Sequence, residues 1–276
     1  MNAGHVVVGV DGSLVSVRAT DLAAVEAVRR SVPLRIVFAV PDLDEARPIL
    51  TAAAARVRAR HPDLPVTAEA VRGSALKALT RESGDAGLTV VGTRGCAGPA
   101  GILLGSVSPR LAAHAHGPLL VVRGDRRRGD GGEVLLGLAD EADAVAAAHA
   151  FQEAARRGAR LRVLHSSNRR HAVPEPPPPP PVTPPGRPGP TPRDTAEDSP
   201  PRRTVARFQQ QYPAVGTDLR TVRTDPAHAL LEATRAADVV VIGSRRRTRR
   251  AGSHPGPVAR TLLRRSHCPV LVVPTG

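Results

Sequence analysis

The chain carries one strand pattern twice, so any fold it adopts must accommodate two similar halves. HVVVGVDG at 5–12 is echoed by EVLLGLAD at 133–140, and LRIVFAV at 34–40 by LRVLHSS at 161–167. LTVVGTRG at 88–95 is echoed by DVVVIGSRR at 238–246, and GPLLVVRG at 117–124 by CPVLVVPTG at 268–276. Spacing holds too: Gly92 to Pro118 and Gly243 to Pro269 are both 26 residues, and Gly9 to Leu34 spans 25 against 24 from Gly137 to Leu161. Self-similarity at fixed spacing marks a copied folding unit. The one large mismatch, 83 residues from Gly9 to Gly92 against 106 from Gly137 to Gly243, indicates an insertion in the second copy. Residues 174–201 hold 14 of the 28 prolines, with an unbroken run from Pro176 to Pro181. Proline fixes φ and lacks an N–H, so the segment at about 172–202 is expected to be an extended, disordered excursion without helix or sheet. The polar, Gly-rich GDRRRGDGG at 124–132 separates the copies. The expected organisation is a first domain at 1–124, a linker at 125–132 and a second domain at 133–276.

Within each copy the strands are β-branched runs with apolar residues at consecutive positions, the pattern of strands covered on both faces. The stretches between them read as helices. After Gly12 and Ser13, the residues Val15, Ala19, Leu22, Val25 and Val28 form one stripe at helical spacing, with Ser13 as the cap. Alternating strands and helices make βαβ units, hence an α/β fold with an open, mainly parallel sheet and helices on both faces. Ligands of such sheets sit at the carboxyl ends of the strands, at a topological switch point.

Composition removes several alternatives. Only 3 Phe, 1 Tyr and no Trp occur, which excludes the aromatic stacking platforms of single-stranded nucleic-acid modules. The formal charge of +14 is carried almost wholly by arginine, Lys77 being the one lysine. Such a charge permits a polyanionic partner, but without aromatic interleaving it does not favour nucleic acid. No apolar run approaches the ~20 residues of a membrane span, and MNAGHVVVGVDGS enters a strand pattern with no basic-then-apolar leader, so a cytoplasmic protein is expected. Cys96 and Cys268 are 172 residues apart and suggest neither zinc site nor disulfide framework.

The unusual residues fall at expected strand ends. The first strand finishes in Val10-Asp11-Gly12-Ser13. The strand at 88–91 runs into Gly92-Thr93-Arg94-Gly95, and Gly105-Ser106 opens the helix around Ser108 to His116. Glycines let backbone N–H groups approach a phosphate, and a helix N-terminus favours negative charge. Loop glycines alone also serve simply to end strands and open helices. VVVGVDGS, VVGTRGCAGPAGILLGSVS and HAHGPLLVVR together resemble the universal stress protein family, whose nucleotide-binding members carry Gly-2x-Gly-9x-Gly-Ser. Here Gly92, Gly95, Gly105 and Ser106 keep that spacing. The resemblance spans nearly the whole chain as two tandem copies and implies two Rossmann-like domains of the adenine-nucleotide alpha hydrolase type, each with a five-stranded sheet. It implies that Asp11 meets the adenine or ribose of ATP with Val10 beside it, that Val40 offers its backbone to the adenine, that Gly92 and Gly95 border ribose and phosphates, and that Gly105, Ser106 and Val107 hold the phosphate chain. ATP, with Mg2+ as a companion ion, is the implied cofactor.

The second copy departs from that pattern. Ala139 stands where Asp11 does and Asp140 comes one position late; Gly243 is kept, but Arg246 replaces Gly95, and Gly256 is followed by Pro257 in place of the serine. The expectation is a degenerate domain without an ATP site, Arg245 and Arg246 pairing with a phosphate in another way being the alternative. The run Arg245 to Arg250 reads as a solvated loop, Cys96 as an inert small residue, and His114 and His116, two apart, as no metal pair. No nucleophile with a base, no carboxylate pair and no phosphate-loop lysine is present. The expectation is thus a tandem stress-response protein that binds ATP in its first half and is not an enzyme, any hydrolysis being slow and incidental. A nucleotide-independent interaction scaffold of the same fold is the second reading. The resemblance further implies that the last strands of the two copies pair across a two-fold axis, with dimerisation optional; a protein partner is left unidentified.

Overall fold

A computed structural model describes residues 4–41, 43–93, 107–123, 132–167, 199–245 and 255–275. The first half runs β1 (Val6–Gly9), α1 (Leu14–Arg30), β2 (Leu34–Val40), α2 (Ala46–Arg60), β3 (Val66–Arg72), α3 (Ala75–Glu82), β4 (Leu88–Gly92), α4 (Val107–His114) and β5 (Leu119–Val122). The second runs β6 (Glu133–Gly137), a 3-10 turn (Glu141–Asp143), α5 (Ala144–Arg157), β7 (Arg160–Ser166), α6 (Pro200–Gln211), β8 (Thr217–Val222), α7 (Pro226–Ala233), β9 (Val239–Arg245), α8 (Pro257–Arg265) and β10 (Val270–Thr275).

All ten strands form one sheet in the order β3-β2-β1-β4-β5-β10-β9-β6-β7-β8. Every neighbouring pair is parallel except the central one. There β5 and β10 run antiparallel, with Val270 opposite Val121, Leu271 opposite Leu120 and Val272 opposite Leu119. The two last strands therefore pair as the tandem resemblance implies, and two five-stranded halves become one sheet. Consecutive apolar residues serve both faces. Val6 and Val8 join the core under α1, α2, α5 and α6, while Val7 joins the core under α3, α4, α7 and α8.

The Ser13 hydroxyl accepts the Ser16 N–H at 3.1 Å, so the expected cap is present. The buried stripe of α1 differs from the expectation: Ala19, Ala23, Ala24 and Ala27 line it with Ser16, Thr20 and Glu26, and Val28 is 49% exposed. Small residues let α1 lie close to the sheet and to α5, which decides the face more strongly than side-chain size. A second correction concerns the proline-rich segment. Residues 168–198 lie outside the described residues, but Pro200 and Pro201 open helix α6, contrary to the expectation of no helix at about 172–202. Proline in a first helical turn loses only an N–H that has no intrahelical partner.

One contact between the halves is charged and buried. EAVRR ends α1 and EAARR ends α5, each closed by a left-handed residue, Ser31 at φ 53° and Gly158 at φ 60°. Across the pseudo-two-fold axis the pairs are reciprocal: Arg30 reaches Glu153, and Arg157 reaches Glu26 at 2.7 Å. Within each helix, Glu26 also takes Arg29 at 2.9 Å and Arg30 at 3.4 Å, and Glu153 takes Arg156 at 3.2 Å and Arg157. Both carboxylates are buried. His149 on α5 is pushed down to about 4 by burial and by Arg30 and Arg156, so it adds no charge to this knot at neutral pH.

Candidate functional site

Strand β1 lies between β2 and β4, and the chain leaves it to opposite sides, so the crevice at the carboxyl ends of β1 and β4 is a topological switch point. Four of the sequence-derived residues with a described position meet there, at the ends of β1, β2 and β4, and the fifth starts α4. Val10 follows β1, is buried, and donates its N–H to Val37 O at 3.0 Å. Val40 ends β2, is buried, and its carbonyl accepts the Gly73 N–H at 3.0 Å. Gly92 ends β4, and Val107 is the first residue of α4. Gly95, Gly105, Ser106 and Cys96 lie outside the described residues.

Asp11 is half-buried, and its Oδ1 accepts from both the Ser13 N–H at 3.0 Å and the Ser13 hydroxyl at 2.6 Å. That turn fixes the carboxylate at the rim and brings Ser13 into its capping position. It needs Gly12, at φ 80°, where a Cβ would also stand 2.8 Å from Ile49 Cδ1. Gly92 has a different requirement, since a Cβ there would fall 2.7 Å from Val15 Cγ1 at the start of α1. At this point a Val15 methyl covers the backbone of Gly92. At the start of α4 the Ser108 Oγ is buried without a hydrogen-bond partner, and Thr93, which begins the glycine-rich connection, is anchored by its N–H to Val122 O at 3.1 Å. A carboxylate at the rim, a close-approach glycine and an orphaned hydroxyl at a helix start fit a ribose-bearing anion. Among the described residues no group of three or more His, Cys, Asp or Glu is arranged to hold a metal ion.

The second half is built otherwise at the same place. Counting from Gly9 and Gly137, Asp11 corresponds to Ala139, Gly12 to Asp140 and Val15 to Asp143. Asp143 is buried; its Oδ2 accepts the Ala139 N–H at 2.8 Å, and its carboxylate covers Gly243, the Cγ lying 3.2 Å from where a Cβ would stand. Asp140 caps the 3-10 turn through the Ala142 N–H and pairs with Arg245, which ends β9. That guanidinium holds the Asp140 carboxyl below its ordinary range. Arg245 therefore has a carboxylate partner within its own half, both groups being about half exposed, and Arg246 to Arg250 lie outside the described residues. Neither Asp143 nor the knot of Glu26 and Glu153 was recognised from sequence as functional. The matching EAVRR and EAARR were the legible signal for the knot; for Asp143 it was the alignment with Val15.

Burial raises the Asp143 carboxyl above its ordinary value. A carboxyl with a raised folded-state pKa contributes stability below its unfolded pKa of about 3.9 and loses it as pH rises through the folded value. Asp143→Asn is expected to remove this dependence, so its melting temperature should rise relative to wild type as pH increases above about 4. A constant difference across that range would show that Asp143 does not titrate anomalously.

Comparison with known proteins bears on the whole chain. The model of the universal stress protein family matches residues 2–123 and 132–274. The chain belongs to the universal stress protein family. It is a tandem, two-domain member of α/β class. Two universal stress proteins of Mycobacterium tuberculosis are 30% and 32% identical to it, each over 97% of this chain and 94% and 95% of the relative. A universal stress protein from Archaeoglobus fulgidus shares the fold, with a TM-score of 0.72 at 16% identity over the full length of both chains. No helix among the described residues is long and apolar enough to cross a membrane.

Proposed function

We propose that this universal stress protein binds one ATP, in its first half only, and acts as a nucleotide-responsive regulator in the stress response rather than as an enzyme. What supports this reading is the convergence of Val10, Asp11, Val40 and Gly92 at the switch point, with Val107 at the start of α4. Asp11 would accept hydrogen bonds from ribose hydroxyls, Val10 and the Val40 backbone would flank the adenine, and Gly92 with Gly95 would border ribose and phosphates. Gly105, Ser106 and Val107 would hold the phosphate chain at the positive end of α4. Mg2+ would enter with the triphosphate. The Ser13 hydroxyl beside the Asp11 carboxylate is tied into the turn that caps α1, so occupancy rather than turnover is the output we assign to this crevice.

The test is isothermal titration of ATP into the full chain beside Gly105→Arg and Gly256→Arg. Gly256 faces open space, so an arginine there is expected to leave binding unchanged, whereas Gly105→Arg is expected to abolish it. Loss by Gly256→Arg alone would move the site to the second half and overturn the first-half reading, whereas no binding to any form would leave the nucleotide-independent scaffold in its place.

A further inference from the structure

We propose that Asp143 is the residue that denies nucleotide to the second half, by putting a carboxylate on the crevice floor where the first half puts the methyl of Val15. The inference rests on the reading that the first-half crevice takes ATP. The two positions correspond in sequence and in place: Val15 lies in the first turn of α1 and Asp143 is the N-cap residue of α5, and each lies over the glycine near the end of the strand that pairs with the first strand of its half. Val15 Cγ1 stands over Gly92, and the Asp143 carboxylate stands over Gly243. Filling is therefore common to both halves, and what differs is polarity.

The carboxylate is held in that position. The Ala139 N–H binds Asp143 Oδ2 at 2.8 Å, whereas the first-half carboxylate, Asp11, turns to Ser13 on the rim. The turn above the floor differs as well. Asp140 occupies the place of Gly12, and its ion pair with Arg245 joins the end of β9 to the turn that follows β6, across the opening that in the first half meets a glycine. A triphosphate entering the second crevice would meet a buried, hydrogen-bonded carboxyl group where the first half offers a methyl. Discrimination between two sites by an unfavourable group in one of them is as effective as added contacts in the other. Loss of the second-half glycine and serine is then insufficient to explain the missing site.

The experiment restores that motif and asks whether Asp143 still blocks. ATP is titrated calorimetrically into full-length Arg246→Gly/Pro257→Ser, alone and with Asp143→Val, each with and without Gly105→Arg to silence the first half. The double variant is expected to bind one ATP per chain, and the triple variant two; with Gly105→Arg added, the values fall to none and one. Asp143→Asn in place of Asp143→Val keeps an acceptor for the Ala139 N–H and is expected to open the same second site. A second ATP in the double variant, or none gained with either neutral side chain at position 143 in variants whose circular dichroism is unchanged, overturns the proposal. Failure of the first-half reading is separately visible, because the site opened at position 143 would then be the only one, insensitive to Gly105→Arg.

Discussion

Glu26→Gln is expected to cost about 3–5 kcal/mol of stability, the range for removing one partner of a buried ion pair. The side chain is fully buried and receives Arg29 at 2.9 Å and Arg157 at 2.7 Å, the second from the other half of the chain. An amide cannot balance these guanidinium groups, and burial prevents water from doing so. Glu153→Gln should behave alike, since the knot is reciprocal. Urea unfolding followed by circular dichroism measures the loss, with Asp218→Asn as a control. Asp218 pairs with Arg220 at 2.8 Å, but both are more than half exposed, so the control should shift by less than about 1 kcal/mol. Replacing Glu26, Arg30, Glu153 and Arg157 together by apolar residues of similar volume should be close to neutral, because desolvation offsets the attraction in such pairs. Equal effects of Glu26→Gln and Asp218→Asn would show that the knot is solvated.

Phe151→Ala is expected to cost a similar amount, about 3–5 kcal/mol, by lost burial and a residual cavity. Phe151 is the largest fully buried side chain among the described residues, and it packs against Phe208 at 5.7 Å and Tyr212 at 5.9 Å between ring centroids. Phe208 lies on α6 and Tyr212 caps its end, so this cluster docks the helix to which the chain returns after the proline-rich segment. The effect therefore has a location: hydrogen exchange should quicken most in residues 200–212, with β1 to β5 little changed. Uniform acceleration across both halves would mean that α6 is not a separately docked element.

Much of this was legible in the sequence because it depends on local periodicity. Consecutive Val and Leu residues bounded by glycine specify strands covered on both faces, and their repetition at constant spacing specifies two copies. The strand ends at Val10 and Gly92 mark the switch point, and the resemblance of the spacing from Gly92 to Ser106 to the family's motif directs the candidate site to the same end of the sheet. The α1 stripe departs from the one that hydrophobic size predicts because the packing distance to the sheet and to α5 is not encoded in the helix's own periodicity. With that distance short, alanines went inward and Val28 outward. Pro200 and Pro201 were assigned to an extended segment because the penalty for proline depends on its position within a helix, and only the start of α6 reveals that position.

The sequence by itself determined the α/β class, the tandem organisation and the end of the sheet at which chemistry is possible, because these follow from periodicity, spacing and backbone freedom. Only the tertiary structure decided that β5 and β10 join both halves into one sheet. It also decided that Glu26 and Glu153 exchange arginines across the axis, and that Asp143 turns inward over Gly243 while Asp11 stays at the rim. These outcomes depend on which groups far apart in the chain are brought within a few ångströms, and on what burial then demands of their charges.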